Sequence, residues 1–538
     1  MTNIEFCDVL IIGSGAGGLS AAITAGHAGA QVIVVEAADK VGGTFAYSGG
    51  QVWVGMTDLE VEAGVDDSVA DVRAYLQWLS QGQADDEMRE TFVTRGPEVF
   101  RFLRNQGINL RLIRGLPDYY YPEAEGSKAE GRWYEIEPWD QSQLGPLIDL
   151  VATSPYGGGV VSSQDRIDTG GTAMTPELAE RRQRHIEKGE RCAGPGLAAS
   201  MTKVAVDNGV TFYPSTRAVR LTIQDGKVTG AIVRDTSGER TVHARNGVII
   251  ATGAYDWSEE WMHRLDQLVD VKTMSPPTIR GDHFELTAPL DAAIEVVRRP
   301  VTSAVYFGTR TPGDEVHGSQ AYRYYTPGLP RNIVVNDAGR RFADDAFHPG
   351  IAEGWLEGSA NWPAWVIVDQ KYIDTYGIGA VPAGGEIPEG MCSRGATIEE
   401  TALAAGIDPA GLSGEVARWN GFCADGKDSD FGRGARPYAL ALNGDPRSEN
   451  RNMGPITEAP FYAFPLVRVA VNSPAGGLVT GPTGQVRSTS GSGIPGLYAA
   501  GTAVAQRDIG ASYNSGMGNQ RGLLYGYLAA LELTADGA

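Results

Sequence analysis

A chain of 538 residues with 42% hydrophobic and 21% charged residues is too long for one ordinary core and reads as a globular protein of two or more domains. Its net charge of −21 excludes the basic surface that a nucleic-acid partner or an anionic bilayer needs. Its four cysteines, Cys7, Cys192, Cys392 and Cys423, stand at neither metal-ligand nor redox-motif spacing, so no metal is expected and a reducing cytoplasm is the simple expectation.

The N-terminus lacks a basic n-region and runs straight into a strand, which argues against a signal peptide, and no apolar run reaches the roughly 18 residues of a membrane span. Cys7 to Ile12 is a short apolar run, the pattern of a buried parallel strand. Gly13-Ser14-Gly15-Ala16-Gly17-Gly18 follows, then an alanine-rich helix to about His27 and a second strand, Gln31 to Val35, closing at Glu36. Asp67 to Asn105 reads as helical in two periodic stretches, and Gly107 to Trp139 as irregular. Pro195 to Asn208 reads as a helix and Val210 to Pro214 as a strand. Thr216 to Thr222 and Lys227 to Arg234 read as a hairpin turning at Asp225-Gly226. Val248 to Ala251 is another buried strand, ending at Thr252-Gly253.

From about Asp282 to about Met453 aromatics, prolines and short strands dominate, before glycine-rich strands return and a final helix runs from Gly522 to Ala535. The fold expected is α/β: a Rossmann-like dinucleotide domain, 1–281 and 454–538, split by an inserted α+β catalytic domain, 282–453.

The glycines have separable tasks. Gly13 permits the tight turn, Gly15 lets the backbone approach a pyrophosphate beside Ala16 at the helix N-terminus, and Gly18 lets helix and strand pack closely. Glu36, followed by Ala37, stands where an acid accepts hydrogen bonds from ribose hydroxyls and disfavours a 2′-phosphate. Three later features choose FAD over NAD. Gly43-Thr44 opens a small-residue loop continuing through Ser48-Gly49-Gly50. Thr252-Gly253 ends a strand beside the cofactor, with Val219 of the hairpin as a further contact. Gly501-Thr502 precedes a helix whose N-terminus would face the flavin ring.

The order of these features resembles the fumarate-reductase/succinate-dehydrogenase flavoprotein superfamily over nearly the whole chain. Within it the sequence looks most like the 3-ketosteroid Δ1-dehydrogenases and related cyclic-ketone dehydrogenases. The resemblance is carried by Ser48-Gly49-Gly50 with Trp53, by Pro117 to Glu123, by Asn336 to Phe342 and by Tyr525-Gly526-Tyr527. It implies FAD and an α,β-dehydrogenation: a proton leaves the carbon alpha to a ketone, and a hydride leaves the beta carbon for flavin N5. It also implies a tyrosine and a backbone N–H near the C-terminus that hold the ketone oxygen, with other tyrosines handling the proton. Tyr513 matches the first, and Gly516, Met517 or Gly518 supplies the N–H. Tyr119 or Tyr121 matches the loop tyrosine. A third tyrosine expected after Phe342 is missing. His348 is the base expected in its place, with Tyr324 or Tyr325 as alternatives.

The substrate implied is a 3-ketosteroid or a smaller cyclohexanone-type ketone such as 4-oxocyclohexanecarboxylate. A carboxylate would call on Arg310, Arg323 or Arg331, and Tyr306, Phe307 and Tyr322 are further aromatics to line the site. The electron acceptor stays open between a quinone, a protein and dioxygen. The alternative is a fumarate-reductase-like reduction of an unsaturated carboxylate. That chemistry uses an arginine near the place of Tyr513, and Arg521 suits flavin O2 or a structural bond better. Nothing in the sequence supports a non-enzymatic flavin sensor.

Overall fold

The computed structural model describes residues 4–297, 306–357 and 359–535, and the fold is a mixed α/β one. Its largest sheet has eight strands. Ile4–Ile12 lies between Val32–Val35 and Gly238–Ile250, parallel to both, and the sheet continues to Thr211–Tyr213 on one side and to Gly493–Ala499 and Gln485–Arg487 on the other. Val9 to Ile12 and Val32 to Val35 are buried on both faces, as their uninterrupted apolar runs require. The hairpin Arg217–Gln224 and Lys227–Asp235 extends from the first half of Gly238–Ile250. It turns at Asp225 and Gly226 with φ of 51° and 77°, the left-handed pair that a two-residue turn demands.

Two helices cross against this sheet almost backbone to backbone. A Cβ on Gly526, in the last helix Met517–Thr534, would lie 2.2 Å from the Gly17 carbonyl oxygen in the first helix, Ala16–His27. One on Gly522 would lie 2.8 Å from the Ala16 Cβ. The close crossing therefore needs glycine at both places, and it brings both helix N-termini to the same end of the sheet. The stretch expected to be helical from Asp67 forms two helices, Val69–Ser80 and Asp86–Asn105, whose first turns are capped by Ser68 and Asp85.

Four antiparallel strands form a separate sheet in the order Asn332–Asn336, Ala364–Asp369, Phe461–Pro465, Ser393–Gly395. A further sheet joins Lys272–Thr273, Val467–Ala470, Tyr306–Val316 and Ser319–Tyr324. Beside the former sheet, Arg341 is buried in an ion network with Asp345 and Asp428, which fixes the Asn336 to Phe342 turn as scaffold. No helix among the described residues is long and apolar enough to cross a membrane.

Candidate functional site

One long cavity starts at the end of the first strand and runs along the glycine turn to a wall of tyrosines. At its first end the Glu36 carboxylate is held in place by the Ser14 backbone N–H at 3.0 Å, the Ser14 hydroxyl at 2.6 Å and the Ala38 N–H at 2.9 Å. Burial pushes this carboxyl upward in pKa, and those donors pull it back. Gly13 sits at φ +102°, and a Cβ there would lie 2.2 Å from the Ala251 carbonyl oxygen, so only glycine closes this turn. Gly15 differs: a Cβ on it would meet nothing within 4 Å and would project into the cavity.

The middle of the cavity is lined by Gly43, Thr44, Ser48, Gly49 and Gly50 on one side and by Thr252, Gly253, Gly501 and Thr502 on the other. Asn472 ties the latter two loops together, since its side-chain oxygen accepts from the Ala254 N–H at 2.7 Å and from the Thr502 hydroxyl at 3.0 Å. Buried Asp256 holds Asn472 in turn, accepting its backbone N–H at 2.6 Å. The Thr44 hydroxyl is buried without a hydrogen-bond partner, and Gly49, Gly501 and Gly518 would each carry a Cβ into open space. Bare glycine backbone, an orphan hydroxyl, an oriented ribose acid and two converging helix N-termini fit a dinucleotide with a flat ring system. The expected pyrophosphate and flavin contacts Gly13, Gly15, Ala16, Glu36 and Ala37 all line this cavity.

At the far end the hydroxyls of Tyr306 and Tyr513 are 3.0 Å apart in the cavity wall, with Tyr324 beside them at 5.1 Å between the Tyr306 and Tyr324 rings. Burial raises the pKa of both Tyr306 and Tyr324, so Tyr306 stays protonated at neutral pH, whereas at Tyr324 the nearby Arg166 works against the rise. The loop carrying Tyr513 is pinned from three sides. The Tyr120 hydroxyl donates to its carbonyl at 3.1 Å, the Tyr75 hydroxyl to Asn514 at 2.7 Å, and the Ser512 N–H to the Leu79 carbonyl at 3.0 Å. Gly516, with φ +80°, then caps the last helix, whose first turn reaches the cavity through Gly518 and Asn519.

Several expected site residues lie elsewhere. Gly18 is not a cofactor contact: a Cβ there would stand 2.0 Å from the Gly13 carbonyl oxygen, so its task is packing alone. Val219 faces away from the cavity, and its strand neighbour Ala218 lines it, because side chains alternate along a strand. Met517 is fully buried outside the cavity, while Gly516 and Gly518 flank it on the lining. Tyr121 also lies outside.

Tyr119 is buried behind the wall, its ring centroid 4.0 Å from Tyr438 and 6.0 Å from Tyr513. His348 is stacked on the back of Tyr306 at 4.8 Å, with both ring nitrogens buried and unpartnered, and burial lowers its pKa to about 3. It is a neutral packing ring that does not reach the cavity. Tyr325 donates to Asn332 in the neighbouring core at 2.5 Å, so of the two alternatives only Tyr324 faces the site. Asp118, within the Pro117 to Glu123 segment, is the anchor that sequence reasoning missed. Buried, it accepts from the Trp53 indole at 2.7 Å and from Arg132 at 3.0 Å.

A family model described as an FAD binding domain matches residues 8–519. A 3-oxosteroid 1-dehydrogenase of Mycolicibacterium smegmatis is 32% identical over 577 residues, covering 100% of this chain and 99% of the relative. A 4-oxocyclohexanecarboxylate 2-dehydrogenase of Sinomonas cyclohexanicum is 31% identical over 551 residues, covering 99% of this chain and 93% of the relative. Among solved structures, a 3-ketosteroid Δ1-dehydrogenase from Sterolibacterium denitrificans in complex with 1,4-androstadiene-3,17-dione has the same fold, with a TM-score of 0.88 at 24% identity over 99% of this chain and 100% of that one. With a match spanning nearly the whole chain and a cavity whose residues suit the cofactor, the chain belongs to the FAD-binding domain family and its cofactor is FAD.

Proposed function

We propose that the chain is an FAD-dependent dehydrogenase that desaturates a cyclic ketone between its α and β carbons, the substrate being a 3-ketosteroid or a cyclohexanone-type ketone. The observation that carries this reading is the pair of phenol hydroxyls, Tyr306 and Tyr513, 3.0 Å apart in the wall of the FAD cavity. An α-proton is too weakly acidic to leave unless the ketone oxygen is held by donors that tighten as it gains enolate charge. The Tyr513 hydroxyl and that of Tyr306, which burial keeps protonated, are such donors, and the last helix adds its N-terminal N–H groups at Gly518 and Asn519.

We assign receipt of the α-proton to Tyr324, the third phenol on this wall, acting in its ionised form, which burial opposes and the nearby Arg166 favours. FAD supplies the acceptor for the hydride leaving the β carbon. The two similar dehydrogenases of a steroid and of a small keto acid support the reaction type.

The fumarate-like alternative is weaker here. Arg521 is buried and committed to Asp508 at 2.6 Å and to the Ala505 carbonyl at 2.9 Å, so it offers nothing to a dicarboxylate. We also infer that the FAD-binding part is interrupted by a substrate domain, with the chain returning after Ala470 rather than at residue 454. Phe461–Pro465 and Val467–Ala470 pair with strands of the interrupting part, which supports the later return. A cytoplasmic location remains our reading of four cysteines that are all free.

Anaerobic mixing with cyclohexanone, a 3-ketosteroid and 4-oxocyclohexanecarboxylate tests the reaction. Loss of the yellow flavin band with at least one ketone is expected. A pre-reduced enzyme that is reoxidised by fumarate, and an oxidised enzyme inert to every ketone, would overturn it.

A further inference from the structure

Among the described residues, the arginines considered from sequence for holding a substrate carboxylate are all engaged or turned outward. Arg323 grips Asp314 through two nitrogens, Arg331 binds Asp369 and Glu458, and Arg310 lies on an exposed strand position bonded to Gln320. Arg166 is different. It lies in the short helix Ser163–Asp168, which packs against Pro437–Leu442, the helix that carries Tyr438. One turn before it, Ser163 accepts a hydrogen bond at 3.0 Å from Gln51, a residue of the cavity wall. Tyr324, in the cavity wall, and Tyr438 each interact electrostatically with both Tyr513 and Arg166, so the guanidinium stands near the phenols of the proposed ketone clasp.

Among the described residues the Arg166 guanidinium forms no hydrogen bond, and the acids that act on it through space, Glu135 and Asp165, are bound to other donors. Glu135 is taken by Arg111 at 2.7 Å and by the Ser163 N–H at 2.7 Å. Asp165 is taken by Ser162 at 2.8 Å and His185 at 3.1 Å, and Asp168 by Arg181 at 2.8 Å. A guanidinium stays charged at every physiological pH, and burial of one whose N–H donors are unpaired is costly. It is also shaped to bind a carboxylate through two parallel hydrogen bonds.

We propose that Arg166 is a specificity-determining residue that binds a carboxylate on the substrate, so that the ketone taken by this chain is a small alicyclic keto acid. In such a ring the ketone oxygen meets Tyr513 and Tyr306 at one end, and the carboxylate meets Arg166 at the other. A neutral steroid would lay apolar rings over the same guanidinium and leave its N–H donors unpaired. This inference rests on the ketone reading above.

Two measurements on the FAD-loaded enzyme decide it separately from that reading. In the first, cyclohexanecarboxylate, which has the acid and no ketone, is titrated into the protein while the flavin spectrum is followed. Wild type binds it, and Arg166→Gln weakens binding about a hundredfold, the loss of a hydrogen-bonded ion pair. Arg166→Lys, with charge but no fork, falls between them and serves if the glutamine variant loses FAD. In the second, kcat/KM is compared for 4-oxocyclohexanecarboxylate and 4-methylcyclohexanone. The ratio of the two falls about a hundredfold in Arg166→Gln, chiefly through KM of the acid. Any effect of Arg166 on Tyr324 acts on both ketones and cancels in that ratio.

The proposal is overturned if wild type does not bind cyclohexanecarboxylate, if the variants bind it as wild type does, or if both ketones lose activity equally. If no ketone reduces the flavin, the ketone reading falls, and the binding titration still judges Arg166.

Discussion

Gly15 and Gly18 are three residues apart in one turn, yet the structure gives them opposite sensitivities to a single methyl group. At Gly15 the backbone lies at φ −72°, a conformation alanine adopts freely, and a Cβ meets nothing within 4 Å. Gly15→Ala should therefore leave the melting temperature of the apoprotein nearly unchanged. Some loss from replacing glycine at a helix N-cap is balanced by the lower entropy of the unfolded chain, each on the order of 0.5 kcal/mol. The methyl projects into the cavity beside the helix N-terminus, where a pyrophosphate would take backbone N–H donors. Displacing one charge-assisted hydrogen bond of about 1.5–3 kcal/mol weakens FAD by roughly ten- to a hundredfold.

At Gly18 the same methyl would stand 2.0 Å from the Gly13 carbonyl oxygen, and the first helix must lift from its strand. Gly18→Ala should cost at least about 1–3 kcal/mol in apoprotein stability, as overpacking does. Thermal unfolding of the apoproteins and quenching of FAD fluorescence on titration read the two effects separately. A Gly15→Ala protein that binds FAD like wild type, or that melts as low as Gly18→Ala, would refute the assignment of these tasks.

Other expectations follow from the same contacts. Tyr513→Phe and Tyr306→Phe should each keep FAD and slow its reduction by a ketone about 10²–10³-fold, the effect of losing one donor to a developing oxyanion. Because the two hydroxyls bond each other, the double variant should lose less than the product of the two, as stopped-flow reduction rates would show. Replacing Arg132 by Leu strands the buried carboxylates of Asp67 and Asp118 and should cost about 3–5 kcal/mol in denaturant unfolding. Burial raises the Asp256 carboxyl from 3.8 to about 6, so the fold favours its protonated form. Its contribution to stability is therefore present below the unfolded pKa and is lost as pH rises through about 6. Relative to wild type, Asp256→Asn should gain little below the unfolded pKa and progressively more with rising pH, up to about 3 kcal/mol once pH has passed about 6, and a pH series of melting curves checks the sign.

Backbone chemistry was the most legible part of this molecule. Gly13 and Gly15 were legible from neighbours within one turn and Glu36 from the strand that ends at it, and all three line the cavity. The hairpin at Asp225-Gly226 was legible for the same reason. Within its first strand, however, nothing local fixed which residue faced inward, and the phase slipped by one from Ala218 to Val219. The clasp itself could not be read. Tyr306 and Tyr513 are 207 residues apart, in a chain with 21 tyrosines, and only the folded sheets bring them together. His348 filled the place of a missing tyrosine in sequence, whereas in space the histidine is stacked behind Tyr306 and Tyr324 is the phenol that faces the cavity for the proton. Arg166 carried no motif at all, and its interest lies in the absence of a hydrogen-bonded acceptor for its guanidinium among the described residues.

The central claim is that a ketone held by Tyr513 and Tyr306 is desaturated at the expense of FAD. The most direct test is one anaerobic turnover, in which the enone formed is counted against the FAD reduced. The account predicts one enone per FAD reduced in wild type and a sharply slowed yield in Tyr513→Phe that still carries its full complement of FAD. Flavin reduced without enone, or an undiminished rate in that variant, would contradict it.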